Sequence, residues 1–146
     1  MSQKDRIKTI IALLNSNPAT SAGSFATLKA EFEQVLHVDA ITPMSRKNLI
    51  KVLHSTRALD STLQAVVGHH TLGPIHSLGP LIDKFYSHTN PVLGRMYQSE
   101  CTRYKRSIAD MRNKHLHTAG SYPRNEGEVT NLVSEMQSLI MRVLSL

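Results

Sequence analysis

Arg112-Asn113-Lys114-His115-Leu116-His117, followed by Thr118-Ala119-Gly120, places a guanidinium, an amide and two imidazoles where a long helical pattern meets a break. Arginine carries a permanent charge on a planar fork that matches phosphate oxygens, and histidine is the side chain whose ordinary pKa lies nearest neutrality. Together these groups have the chemistry to bind a phosphodiester and to move the protons that its cleavage requires, with no call on a metal.

The elements that must position this stretch are all read as helices. A first pattern from about Lys4 to Leu14 carries Ile7, Ile10, Ile11 and Leu14 at three- and four-residue spacing. Turn formers from Asn15 to Gly23 then predict a loop, after which Ser24 is placed to cap a second helix with Phe25, Leu28, Phe32, Val35 and Leu36, ending near His37. Thr42-Pro43 is a cap followed by a first-turn proline, and the pattern runs from there towards Val67 through Leu49, Ile50, Leu53, Leu63, Val66 and Val67. Gly68 to Gly79 interrupts the periodicity as the main internal linker, and Pro80 opens a short helix with Leu81, Ile82, Phe85 and Tyr86.

Asn90-Pro91 repeats the cap-then-proline signal, which predicts one long helix through Val92, Leu93, Met96, Tyr97, Tyr104, Ile108 and Met111 into Arg112. Asn125-x-x-Glu128 reads as a capping box for a last helix whose broad apolar face comprises Val129, Leu132, Val133, Met136, Leu139, Ile140, Val143 and Leu144. With no alternating run, internal repeat or low-complexity tract, the expected fold is an all-α bundle of about five to six helices, with no sheet, in one domain spanning 1–146.

Helical geometry limits how the motif works. At about 100° per residue, Arg112 and His117 would lie roughly 140° apart on an unbroken helix and would not converge. Arg112 and His115 would differ by only about 60° and share a face, so His115 is a structural rival for the active histidine. Unwinding near Leu116, with Gly120 as the stop, would free His117 to turn back or to meet the Arg112 of a symmetry-related subunit.

Arg112, Asn113 and His117, read as Arg-Asn-x-x-x-His between the last two helical patterns of a small helical chain, resemble the signature of the HEPN (higher eukaryotes and prokaryotes nucleotide-binding) family. The resemblance covers Pro91 to Leu146, and the earlier residues only by their general helical character. It implies a metal-independent endoribonuclease, a toxin or antiviral effector, with one composite site built across a homodimer. A second protein, an antitoxin or a component of a defence system, would then hold it in check. In the expected mechanism the 2′-hydroxyl of the RNA attacks the adjacent phosphate. His117 acts as general base or general acid, Arg112 holds the non-bridging oxygens, and Asn113 orients the histidine or the phosphate. The products are a 2′,3′-cyclic phosphate and a 5′-hydroxyl.

Around this centre, Lys105, Arg106, Lys114 and Arg124 are candidates for an anionic track, and Tyr122, just before Pro123, is placed to stack on a base. The bland readings stand beside these. Arg112 would cap the last carbonyls of its helix, the lysines and arginines would form a solvated face, and Tyr104 would belong to the core. His69, His70 and His76 raise a zinc alternative, but no carboxylate or thiolate accompanies them at a recognised spacing, so neither metal nor cofactor is expected. Cys101 lies mid-helix and reads as a buried, inert thiol.

Composition fits this picture without choosing it. A chain of 146 residues with 40% hydrophobic and 19% charged residues suits one globular core, and a formal charge of +6 favours an anionic partner. A single cysteine makes no internal disulfide, and the start of the chain leads into no apolar run long enough for a signal peptide or membrane span, so a cytoplasmic protein is expected. Nucleoside triphosphate hydrolysis lacks a Gly-rich phosphate loop. The competing reading is a catalytically silent helical module, in which the apolar face of Val129 to Leu144 and the basic surface serve dimerisation or the docking of protein or RNA.

Overall fold

The computed structural model describes residues 2–38, 44–75, 77–116 and 125–146, and among them every regular element is helical. Helix α1 (Gln3–Ser16) starts where the Ser2 hydroxyl accepts from the Asp5 amide at 3.1 Å, and its Ile7, Ile10 and Leu14 are buried as the spacing predicts. The expected loop after it contains a single helical turn, α2 (Pro18–Ser21). Asn17 Oδ1 accepts from the Ala19 amide at 2.9 Å and Pro18 occupies the first helical position, so the local cap-then-proline signal wins over the run of turn formers. Helix α3 (Phe25–His37) comes after Ser24, whose side chain makes no capping bond, and buries Leu28, Phe32 and Val35.

Helix α4 (Met44–His69) is the longest element and packs most extensively against α3 and against the last helix. The Thr42-Pro43 start signal lies outside the described residues. Gly68 does not stop the helix. It ends one residue later, in a reverse turn where the Leu72 amide donates to Val67 O at 3.1 Å and the Thr71 amide to Gly68 O at 3.2 Å. Thr71 takes the left-handed conformation of that turn (φ 54°), and Gly73 holds a second positive φ of 91° before the chain enters α5 (Leu78–Ser87).

The long helix expected from Asn90 is shorter than its sequence signal. Asn90 Oδ1 does cap the amides of Val92 and Leu93, at 2.9 and 3.1 Å, but no helix grows from it. The backbone groups that would form the next helical bonds go elsewhere. The Met96 amide donates to Phe85 O at 2.9 Å, His88 Nε2 donates to Gly94 O at 2.9 Å, and the Gly94 amide donates to Leu146 O. The helix begins only at α6 (Gln98–Tyr104), where Glu100 Oε1 accepts from the Tyr97 amide at 3.0 Å. It continues through a π-helical segment, Lys105–Asp110, into α7 (Met111–Leu116).

Helix α8 (Glu126–Leu144) starts as expected, with Asn125 Oδ1 accepting from the Glu128 amide at 3.1 Å. Its whole apolar face, from Val129 to Leu144, is buried against the other helices of the same chain. That face is therefore consumed in the core and is not the free docking surface that the silent-module reading requires.

A bidentate ion pair ties α6 to α8: Arg142 Nε and Nη2 lie 2.8 and 3.2 Å from the two carboxylate oxygens of Glu100. The Arg142 hydrogen bonds, and after them the Tyr97 amide, hold the Glu100 carboxyl below its ordinary value of 4.5. A carboxyl lowered in the folded state stabilises above its unfolded pKa and loses that contribution as pH falls through the folded one. Glu100→Gln is accordingly expected to cost about 1–2 kcal/mol at pH 7 and progressively less below about pH 4. Urea melts at pH 7 and pH 3 measure this, and an equal loss at both would show that the charge is not what matters.

Candidate active site

Among the described residues, Arg112 and Asn113 open on a cleft of about 610 Å³ between α4, the first turn of α5 and α7. The π-helical segment just before them sets their direction. Widening one turn rotates the downstream residues relative to an uninterrupted α-helix, and such insertions recur at functional sites. As a result α7 forms a ridge between two depressions. Met111 lines one groove against α8 and another along α6 and the π-helical segment, whereas Asp110, Arg112 and Asn113 line the α4–α5 side.

Arg112 is half-buried, and its Nε is a buried donor with no hydrogen-bond partner among the described residues. Asn113 is exposed. From α4 the cleft receives Thr56, which is 9% exposed and whose Oγ1 is likewise buried without a partner among the described residues. Arg57 also lines it and is held by Glu31 at 2.9 Å. Asp60 and Asp110 add two exposed carboxylates, so the walls carry charges of both signs.

His117, Tyr122, Arg124 and His76 lie outside the described residues, and Lys114 and His115 sit within α7. The choice between His115 and His117 therefore rests on the sequence argument. Lys105 and Arg106 do not join Arg112. Lys105 pairs with Asp83 at 3.0 Å, bracing the π-helical segment against α5, and Arg106 lines a separate groove of about 770 Å³ beside Gln98, Thr102 and Arg103. Tyr104 is core, 3% exposed, with its hydroxyl 3.0 Å from Ser138 Oγ and the Arg103 guanidinium stacked 4.5 Å from its ring centre.

Cys101 is buried, its thiol pushed up chiefly by burial and then by the Asp83 and Glu100 carboxylates, which keeps it protonated and unreactive. His69 and His70 meet edge to face with ring centres 5.0 Å apart, and His70 is lowered by burial first and by the neighbouring His69 and His88 next. Among the described residues no three His, Cys, Asp or Glu side chains gather around a point where a metal ion would sit.

The contribution of α4 and α5 to this cleft was not read from the sequence. Its trace is a break in pattern: Ser55 and Thr56 interrupt the buried stripe of α4 with two hydroxyls, 3% and 9% exposed, where aliphatic residues would otherwise continue the core. Compared with known proteins, the chain matches no family model, no curated protein and no solved structure. Among the described residues, no helix is long and apolar enough to cross a membrane.

Proposed function

We propose that this chain is a metal-independent endoribonuclease of the HEPN kind, with Arg112, Asn113 and His117 as its catalytic residues. The observation that carries the reading is the placement of Arg112: a guanidinium with an unsatisfied buried donor, on the wall of an open cleft, next to Asn113. Leaving such a donor unpaired costs about 1–3 kcal/mol, a cost that a phosphate oxygen in the cleft would remove once the Arg112 side chain shifts to expose the buried Nε. The overall positive charge draws RNA to the surface, and the 2′-hydroxyl of the substrate supplies the nucleophile. His117, five residues after Arg112, moves the proton. The active form is a homodimer with a shared cleft, and its toxicity calls for an inhibitory partner, an antitoxin or a component of a defence system, in the cytoplasm.

The direct test is incubation of the purified protein with total RNA in the presence of EDTA. Fragments ending in 2′,3′-cyclic phosphate and beginning with 5′-hydroxyl are the expected products, and DNA of the same sequence stays intact. RNA that remains whole across a range of protein concentrations, or cleavage abolished by EDTA, would overturn the assignment.

A further inference from the structure

The chemistry proposed above needs one phosphate held at Arg112, yet the same cleft offers a set of groups on two other helices. Helix α5 enters it by its first turn, Ser77 to Pro80. The first amides of a helix have no partner within it, and the amide-rich end carries a partial positive charge. Here the Ser77 side chain makes no capping bond, and Pro80 removes one donor, leaving the Leu78 and Gly79 amides as the available pair. Apart from its chain neighbours and its own helix backbone, no atom lies within 4 Å of where a Cβ of Gly79 would stand, so a side chain there would meet open space. On α4, Thr56 lines the same cleft with its hydroxyl buried and unpaired among the described residues. It points independently to a missing polar partner.

We infer that Thr56 and the first turn of α5 form a phosphoryl subsite beside Arg112, which holds either the phosphate next to the scissile one in an RNA strand or the phosphate of a free nucleotide. This rests on the reading of Arg112 as a phosphate-binding group. The amides of Leu78 and Gly79 donate to the phosphate oxygens, as anions at helix N-termini are commonly held, and a rotation of the Thr56 side chain brings its buried hydroxyl to the same oxygens. Asp60 and Asp110 oppose the anion and keep its binding weak, which suits a subsite that must release product.

Amide chemical shifts of the full chain in a low-salt, phosphate-free buffer test this with three probes: inorganic phosphate, adenosine monophosphate, and a short DNA oligonucleotide that 2′-hydroxyl chemistry cannot cut. Phosphate at millimolar concentration is expected to shift the Leu78 and Gly79 amides. Two substitutions then separate binding from folding. Gly79→Asp places a carboxylate in open space in the first helical turn, where it favours the helix, and is expected to weaken all three probes at least about tenfold with no loss of thermal stability. Thr56→Val keeps the shape, removes the hydroxyl and is expected to weaken them about threefold to tenfold. Asp110→Asn, which removes an opposing charge, is expected to tighten them.

Tighter binding of the oligonucleotide than of the monophosphate assigns the subsite to a strand, and the reverse order assigns it to a free nucleotide. The inference is overturned if phosphate leaves Leu78 and Gly79 unshifted, or if both Gly79→Asp and Thr56→Val bind as the parent does. Its fate is separable from that of the ribonuclease reading. Phosphate binding at these amides without RNA cleavage would retire the enzyme and keep the subsite, and RNA cleavage by a protein whose Leu78 and Gly79 amides do not respond to phosphate would do the opposite.

Discussion

Arg112→Ala and His117→Ala each lower RNA cleavage by about 10²–10⁴-fold, the range that removal of one proton-transfer or charge-stabilising group produces. Arg112 is not among the buried hydrophobic residues that make the core, and both substitutions are expected to leave helical content by circular dichroism at the parent level. Arg112→Lys recovers little, because a lysine at this position offers a point charge where two in-plane donors are needed to hold a pair of phosphate oxygens. Truncation of Arg112 also removes the unsatisfied Nε, so the variant is expected to be at least as stable as the parent while it is inactive. That combination marks a group kept for function. His115→Ala costs less than His117→Ala. The reverse order would assign the proton transfer to the histidine that shares a helix face with Arg112, and near-parental activity in Arg112→Ala would move the site elsewhere.

How much of this was legible depended on which interactions are local. Helices α1 and α3 formed where their periodic stripes said they would, although the Ser24 cap expected for α3 makes no side-chain bond, and α8 formed behind the Asn125 cap, because a cap acts within four residues and a stripe needs only some core to face. The failure at Asn90 has the opposite cause. Its cap formed, but Phe85, His88 and Leu146 took the backbone groups of Gly94 and Met96, and no local pattern announces bonds from partners that come from elsewhere in the fold. The π-helical segment was equally silent, since a one-residue insertion in a helix leaves composition and caps unchanged. It matters most to the site, because it decides which side of α7 Arg112 faces. The motif itself was readable as chemistry, whereas Thr56 and the first turn of α5, both far from Arg112 along the chain, could be joined to it only in three dimensions.

Mixing two inactive variants is expected to restore activity, and the size of the recovery is set by symmetry. On a continuous helix Arg112 and His117 would point about 140° apart and one chain would present them to different sides, whereas in the proposed homodimer a two-fold axis would bring the Arg112 of one subunit towards the His117 of the other. Such a dimer has two equivalent composite sites. When Arg112→Ala and His117→Ala are unfolded together, refolded at equal concentration and allowed to pair at random, half of the dimers contain one chain of each. In each of these, one site carries both lesions and the other carries neither. The mixture should therefore show roughly a quarter of the parental activity, since only heterodimers contribute and each contributes one of its two sites. If each site is instead built within one chain, every site in the mixture carries a lesion and the mixture stays as inactive as its components. The recovered activity should also disappear on dilution below the dimer dissociation constant, in parallel with the parent. An active species that sediments as a monomer at the assay concentration would remove the dimer from the mechanism altogether, and His117 would then have to reach the Arg112 of its own chain.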